Sequence, residues 1–168
     1  MDNQKAHSDI RLIGVGNEFR RDDGIGIFIV RHQSLKRLDD IQVLEERGEA
    51  TNLVNSWKDG GNVFLFDAVS SGNTPGTVYR FNARKEPLPR DLLRVSTHTF
   101  GVAEGIELSR ASNRLPIELI VFGIEGENFG WGKGLSSAVE RAALEVIRRV
   151  LKEIRELRKG ELRLKKSH

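Results

Sequence analysis

A few side chains in this sequence could do chemistry, and their positions narrow what that chemistry is. An acidic pair, Asp22 and Asp23, follows the glycine-rich stretch GVGNEFRR. Asp67 closes the apolar run VFLF, and His98 stands in RVSTHTFG. One aspartate is enough to cap a helix, and a second beside it adds like-charge repulsion unless a cation comes to meet it. Asp67, at the mouth of a buried strand, is costly to leave unpaired, although it also suits an Asx turn ahead of SSGNTPG. His98 falls at a helix start, where the positive end of the dipole favours the neutral, metal-binding imidazole. Standing alone, it would read as a capping-region histidine. Together, Asp23, Asp67 and His98 supply two carboxylates and an imidazole, an open three-ligand set for a divalent metal. Open positions let such a metal hold a water or polarise a carbonyl. The other histidines are His7 and His168, near the ends, and His32, within an expected helix.

The elements that must position these groups alternate along the chain. Apolar runs predict strands at 10–15, 41–45, 63–68 and 117–124, and the alternating TVYRFN predicts a half-exposed strand at 77–82. Helices are predicted over 23–38, 50–58 and 98–111. A last helix starts after Ser136, a fitting N-cap, and carries Val139, Ala143, Val146, Val150, Ile154 and Leu157 on one stripe, with Gly160 as its expected stop. This order predicts a three-layer α/β sandwich: a mostly parallel, twisted sheet of about five strands with helices on both faces. The eight residues between 68 and 77 are too few for a helical crossover, so the strand at 77–82 is expected to be an antiparallel edge. Ligands of such sheets bind beyond the carboxyl ends of the strands, where Asp23, Asp67 and His98 are expected to meet.

Composition excludes several classes. The 168 residues contain no cysteine, which removes disulfides, thiolate zinc, iron–sulfur clusters and a cysteine nucleophile. One domain spanning 1–168 is expected, with an ordered core over about 10–160 and a basic tail at 160–168. Residues 148–168 hold nine Lys/Arg against three Glu, so the net charge of +3 is local and the rest of the chain is mildly acidic. With no aromatics interleaved, that stretch reads as a solvated helix face, and no nucleic-acid partner is expected. No apolar run approaches the length of a membrane span and the start lacks a secretory h-region, so a cytoplasmic protein with no membrane partner is expected. A dinucleotide fingerprint beginning at Gly14 fails, because Phe19 stands where its third glycine belongs and the two aspartates would repel a phosphate.

The ordered blocks GVGN, DDGIG, FLFDAVSSGNTPGTVYRF, STHTFG and GIEGENFGWGKGLSSAVERA, over about residues 10–148, resemble the hydrogenase maturation proteases. The resemblance implies an endopeptidase that trims a C-terminal extension from the large-subunit precursor of a nickel–iron hydrogenase after nickel insertion. It assigns the metal ligands to Asp23, six positions after Asn17, to Asp67 in the D-A-V block, and to His98. It implies that the nickel is the substrate's own, with other divalent ions as stand-ins in vitro. A donor set without thiolate suits recognition of that nickel more than its removal.

The chain departs from the family where many relatives carry Asp-Gly-Gly-Thr after the second strand. LEERGEAT shares only Gly48, and Glu46 or Glu49 could take the aspartate's role. Gly126 also stands where some relatives have proline. Asn17, Asp22, Glu46 and Glu49 are the expected substrate-side residues, and the loop GENFGWGKG reads either as flexible surface or as a lid with Phe129 and Trp131 on the substrate. The alternatives are a chaperone that checks nickel without cutting, and a metal-dependent peptidase of other specificity. The sequence leaves the oligomeric state open.

Overall fold

Short apolar runs and amphipathic segments form five strands and five α-helices within residues 9–89 and 101–166, the part of the chain that the computed structural model describes. The strands are β1 (Ile10–Val15), β2 (Ile41–Glu46), β3 (Asn62–Val69), β4 (Val78–Asn82) and β5 (Glu118–Glu125). The helices are α1 (Ile25–Arg31), α2 (Gln33–Lys36), α3 (Ala50–Trp57), α4 (Val102–Ala111) and α5 (Ser137–Lys166), and a 3-10 turn at Arg21–Gly24 leads into α1. The sheet order is β2-β1-β3-β5-β4. All neighbours are parallel except β4, which runs antiparallel to β5 at the edge, as the short connection requires.

Strand alternation divides the core into two layers. Ile10, Leu12, Phe64, Phe66, Phe122 and Ile124 face α1 and the stripe Val139, Ala143, Val146, Val150 and Ile154 of α5. Ile13, Val15, Val63, Leu65, Leu119 and Val121 face α3 and α4. There, fully buried Trp57 donates its indole N–H to Ser109 Oγ at 2.8 Å, so the large ring enters the core with its one polar atom satisfied.

Two helix expectations need correction. The helix expected over 23–38 is broken: the 3-10 turn and α1 end at His32, whose extended backbone (ψ 135°) restarts the chain as α2. His32 Nδ1 accepts the Ser34 N–H at 3.3 Å, so the ring caps α2 and is not an ordinary helical side chain. The break lets Leu35 enter the same core layer as Ile25 and Ile29. Gly160 also does not stop the last helix, which continues to Lys166. A glycine inside a helix costs only about 1 kcal/mol relative to alanine, and the good helix formers around it outweigh that. Ser136 does hold the N-cap position, its carbonyl accepting the Glu140 N–H at 2.9 Å, but its hydroxyl is used elsewhere. Among the described residues no helix is long and apolar enough to cross a membrane.

Candidate active site

In this strand order the chain leaves β1 toward β2 on one side, whereas β3 neighbours β5 on the other. The crevice beyond the carboxyl ends of β1 and β3 is therefore the topological switch point, the usual ligand site of a doubly wound sheet. Asp23 lies in the 3-10 turn after β1, and that turn contacts β3. Asp67 lies near the end of β3, directly opposite Gly123 of β5. Both are buried, with 2% and 5% of their surface exposed. Alternation along β3 turns Asp67 toward the α3 and α4 layer, since Val63 and Leu65 face that way and Phe64, Phe66 and Ala68 the other.

Two glycines allow this approach. Gly16 has φ +138°, and a Cβ there would fall 1.8 Å from the Asp23 carbonyl oxygen. A Cβ on Gly26 would fall 2.3 Å from the Phe66 carbonyl oxygen and 2.4 Å from that of Val15. The start of α1 is thus pressed against the ends of both strands, and the glycine spacing of GVGN…DDGIG serves backbone packing instead of phosphate binding. Asn17 closes the turn, its N–H donating to the Asp23 carbonyl at 3.2 Å and its side-chain oxygen accepting the Phe19 N–H at 3.0 Å.

Asp22, expected on the substrate side, has a different position from its neighbour. It is fully buried, and its carboxylate accepts the N–H groups of Glu127 (2.9 Å), Asn128 (2.8 Å) and Ser136 (2.7 Å) and the Ser136 hydroxyl (2.8 Å). It leaves no surface for a substrate and instead binds the 126–136 loop to the turn after β1. The same loop is held by Arg21 N–H to Gly132 O (2.9 Å), Gly132 N–H to Phe19 O (2.8 Å) and Arg20 to Phe129 O (3.1 Å). Phe129 packs against the core, so this loop is a fixed clasp and not a free lid.

Glu46 and Glu49 lie at the end of β2 and just before α3. Glu46 accepts the Ser56 hydroxyl, and exposed Glu49 accepts the Asn52 side-chain amide at 3.2 Å. Glu125 was missed in the sequence. It is 2% exposed at the end of β5 and accepts Ser71 N–H (2.8 Å), Ser71 hydroxyl (2.7 Å) and Gly72 N–H (3.0 Å). It therefore orders the loop that follows Asp67. The clue was the one that marked Asp67, an acid closing an apolar strand, here in ELIVFGIE. His98 lies outside the described residues, three positions in sequence before Gly101, the N-cap of α4. Among the described residues, no three His, Cys, Asp or Glu side chains are grouped as a metal centre.

The protein is thus a doubly wound α/β sheet with Asp22, Asp23 and Asp67 buried around its switch point. The chain belongs to the hydrogenase maturation protease family, whose model matches residues 32–153, a span that includes Asp67 and His98. The chain is 27% identical over 151 residues to the hydrogenase 2 maturation protease of Escherichia coli, covering 88% of this chain and 91% of that one. It is 28% identical over 145 residues to the hydrogenase expression/formation protein HoxM of Azotobacter vinelandii, covering 84% and 70%. Its fold superposes on the hydrogenase maturating endopeptidase HybD from E. coli with a TM-score of 0.73 at 26% identity, covering 88% and 92%.

Proposed function

We propose that this chain is an endopeptidase that removes a C-terminal extension from the nickel-loaded large-subunit precursor of a nickel–iron hydrogenase. The observation that carries the reading is the placing of buried Asp23 and Asp67 at the switch point of a fold shared with maturation proteases. Asp23 and Asp67 present oxygen donors at one crevice, and His98 is the third donor of the set. Hard carboxylates and one imidazole suit a borderline divalent ion such as nickel, which arrives as part of the substrate. The nickel supplies Lewis-acid polarisation at the scissile peptide.

The protein's own part is positional. Burial of the two carboxylates keeps water from competing for them, and the Asn17 turn and the two close-packed glycines fix Asp23 against β3. Glu125 and Asp22 hold the two loops around the crevice, so little ordering remains to be done when the precursor binds.

The test is the mass of the precursor. With wild-type protein and a nickel-loaded precursor, the large subunit loses its extension. His98→Ala, Asp23→Asn and Asp67→Asn are each expected to slow trimming at least about 100-fold, the scale of a lost metal-binding or transition-state contact. Normal trimming by His98→Ala would overturn the site assignment. A stable complex with unchanged precursor mass would replace the protease reading with a nickel-checking chaperone.

A further inference from the structure

The clasp around Asp22 presents a feature that the trimming chemistry does not use. Trp131, in the middle of the 126–136 loop, is 81% exposed, and Phe19, on the turn it pairs with, is 53% exposed. Each ring carries a cation: the Arg20 guanidinium lies 5.8 Å from the Trp131 ring centroid, and the Lys133 ammonium 4.6 Å from that of Phe19. The backbone beneath them is pinned by the four bonds to Asp22 and the paired hydrogen bonds around Gly132. A large apolar ring held rigidly in water gains nothing for the folded chain. Rigid exposed tryptophans beside arginine are the residues that anchor protein–protein contacts.

A groove of about 770 Å³ adjoins this platform: Lys133 belongs to both, and Glu18, its ion-pair partner, lines the groove. Its floor is apolar, formed by Ile27, Phe28 and Leu135. Arg31 in its wall is already engaged by Glu45 and Glu18, and Lys133 by Glu18. Arg21 and Arg37 are not. Arg21 donates to the Lys133 carbonyl at 3.3 Å and Arg37 to the Gln33 side-chain amide at 3.2 Å, and among the described residues neither has a carboxylate partner. The lining also holds Glu140, so four cations, Arg21, Arg31, Arg37 and Lys133, face two acids, Glu18 and Glu140, and this positive excess over an apolar floor complements a segment that pairs a carboxylate with an apolar side chain.

We propose that Trp131, Phe19 and this groove form the docking surface for the large-subunit precursor, with Trp131 as the anchor and Arg21 and Arg37 receiving an acidic residue of the precursor. The inference rests on the proposed function for the identity of the partner. It adds that recognition extends beyond the nickel, to a protein surface on the α1 side of the crevice. The chain contains two tryptophans, one fully buried (Trp57) and one exposed (Trp131). Labelling with 5-fluorotryptophan therefore gives two resonances in distinct environments.

The experiment adds nickel-loaded precursor to the labelled protein, follows both resonances by fluorine NMR, and measures trimming in parallel. The Trp131 resonance is expected to shift or broaden while that of Trp57 holds. Trp131→Ala is expected to raise KM about 10-fold or more with kcat changed less than about two-fold, the signature of lost ground-state docking. Arg37→Glu is expected to raise KM similarly and to flatten its dependence on salt. Trimming with the Trp131 resonance unmoved and KM unchanged in both variants would overturn the docking surface and leave the protease reading standing. A moved resonance without trimming would support the docking surface and refute the protease. Neither binding nor trimming would refute both.

Discussion

Asp22 and Asp23 are adjacent acids with separate tasks, and replacing Asp22 by asparagine tests the division. The Asp22 carboxylate accepts three backbone N–H groups and one hydroxyl, all from the 126–136 loop, in a site with no exposure. Hydrogen bonds to an ionised group are worth about 1.5–3 kcal/mol each. In Asp22→Asn the carbonyl can keep the three donors now on Oδ2, although more weakly. The new NH2 then faces the Ser136 N–H that Oδ1 accepted, leaving two donors opposed. Four bonds to one group are not additive, so the expected loss is about 3 kcal/mol. For a chain of this size that lowers Tm by about 6–12 °C.

Urea unfolding supplies the free energy, and amide hydrogen exchange locates the damage. Glu127, Asn128 and Ser136 should lose protection before the core strands do. Ser136→Ala is the internal control: it removes one hydroxyl bond and leaves the three N–H bonds, for an expected loss of about 1 kcal/mol. A loss below about 1 kcal/mol in Asp22→Asn, with exchange at those three amides unchanged, would refute Asp22 as the anchor of the loop.

Two further predictions follow from packing and charge. Gly16→Ala would force a Cβ onto the Asp23 carbonyl from a backbone at φ +138°, so it is expected to cost about 3 kcal/mol or more and to lower trimming; unchanged stability and activity would mean that the turn moves freely. The Arg31–Glu45 pair, bidentate at 2.7 and 2.8 Å, joins α1 to β2. The hydrogen bond from Arg31 holds the Glu45 carboxyl below its ordinary range, with burial opposing. Its contribution is therefore present above the unfolded value of 4.5 and fades as pH falls through the lower folded value. Both side chains are more than a third exposed, so the contribution is small and screened by salt. The difference in urea midpoint between wild type and Glu45→Gln should shrink on going from pH 7 to about 3, and a difference that stays constant would show that the carboxylate charge plays no part.

What could be read from the sequence was whatever depends on local pattern. VFLFDA and IELIVFGI are buried strands because nearly every residue is apolar, and the α5 stripe repeats at helical period over five turns. The short link into β4 was enough to fix its direction. The break at His32 was not legible, since no proline or glycine marks it. It arises from the burial of Leu35 and a ring that caps Ser34. Nor could sequence tell Asp22 from Asp23. The distinction comes from donors more than 100 positions away, which only the folded sheet brings to one of the two. Glu125 escaped for the same reason, its partners lying in the loop after a different strand.

The long last helix determines how the molecule can be handled. Thirty residues of α5 rise about 45 Å, whereas the eight-residue strands span about 26 Å. The helix sets out beside Asp22 and runs back past the opposite pole, where Arg80 meets Glu153 at 2.8 Å and Gly160 shares a groove with Asn62 and Glu118, the first residues of β3 and β5. A bead, a sensor chip or a fused carrier attached to its final turns would sit at the far end of the molecule and leave the crevice facing outward, open to a guest as bulky as a whole hydrogenase subunit.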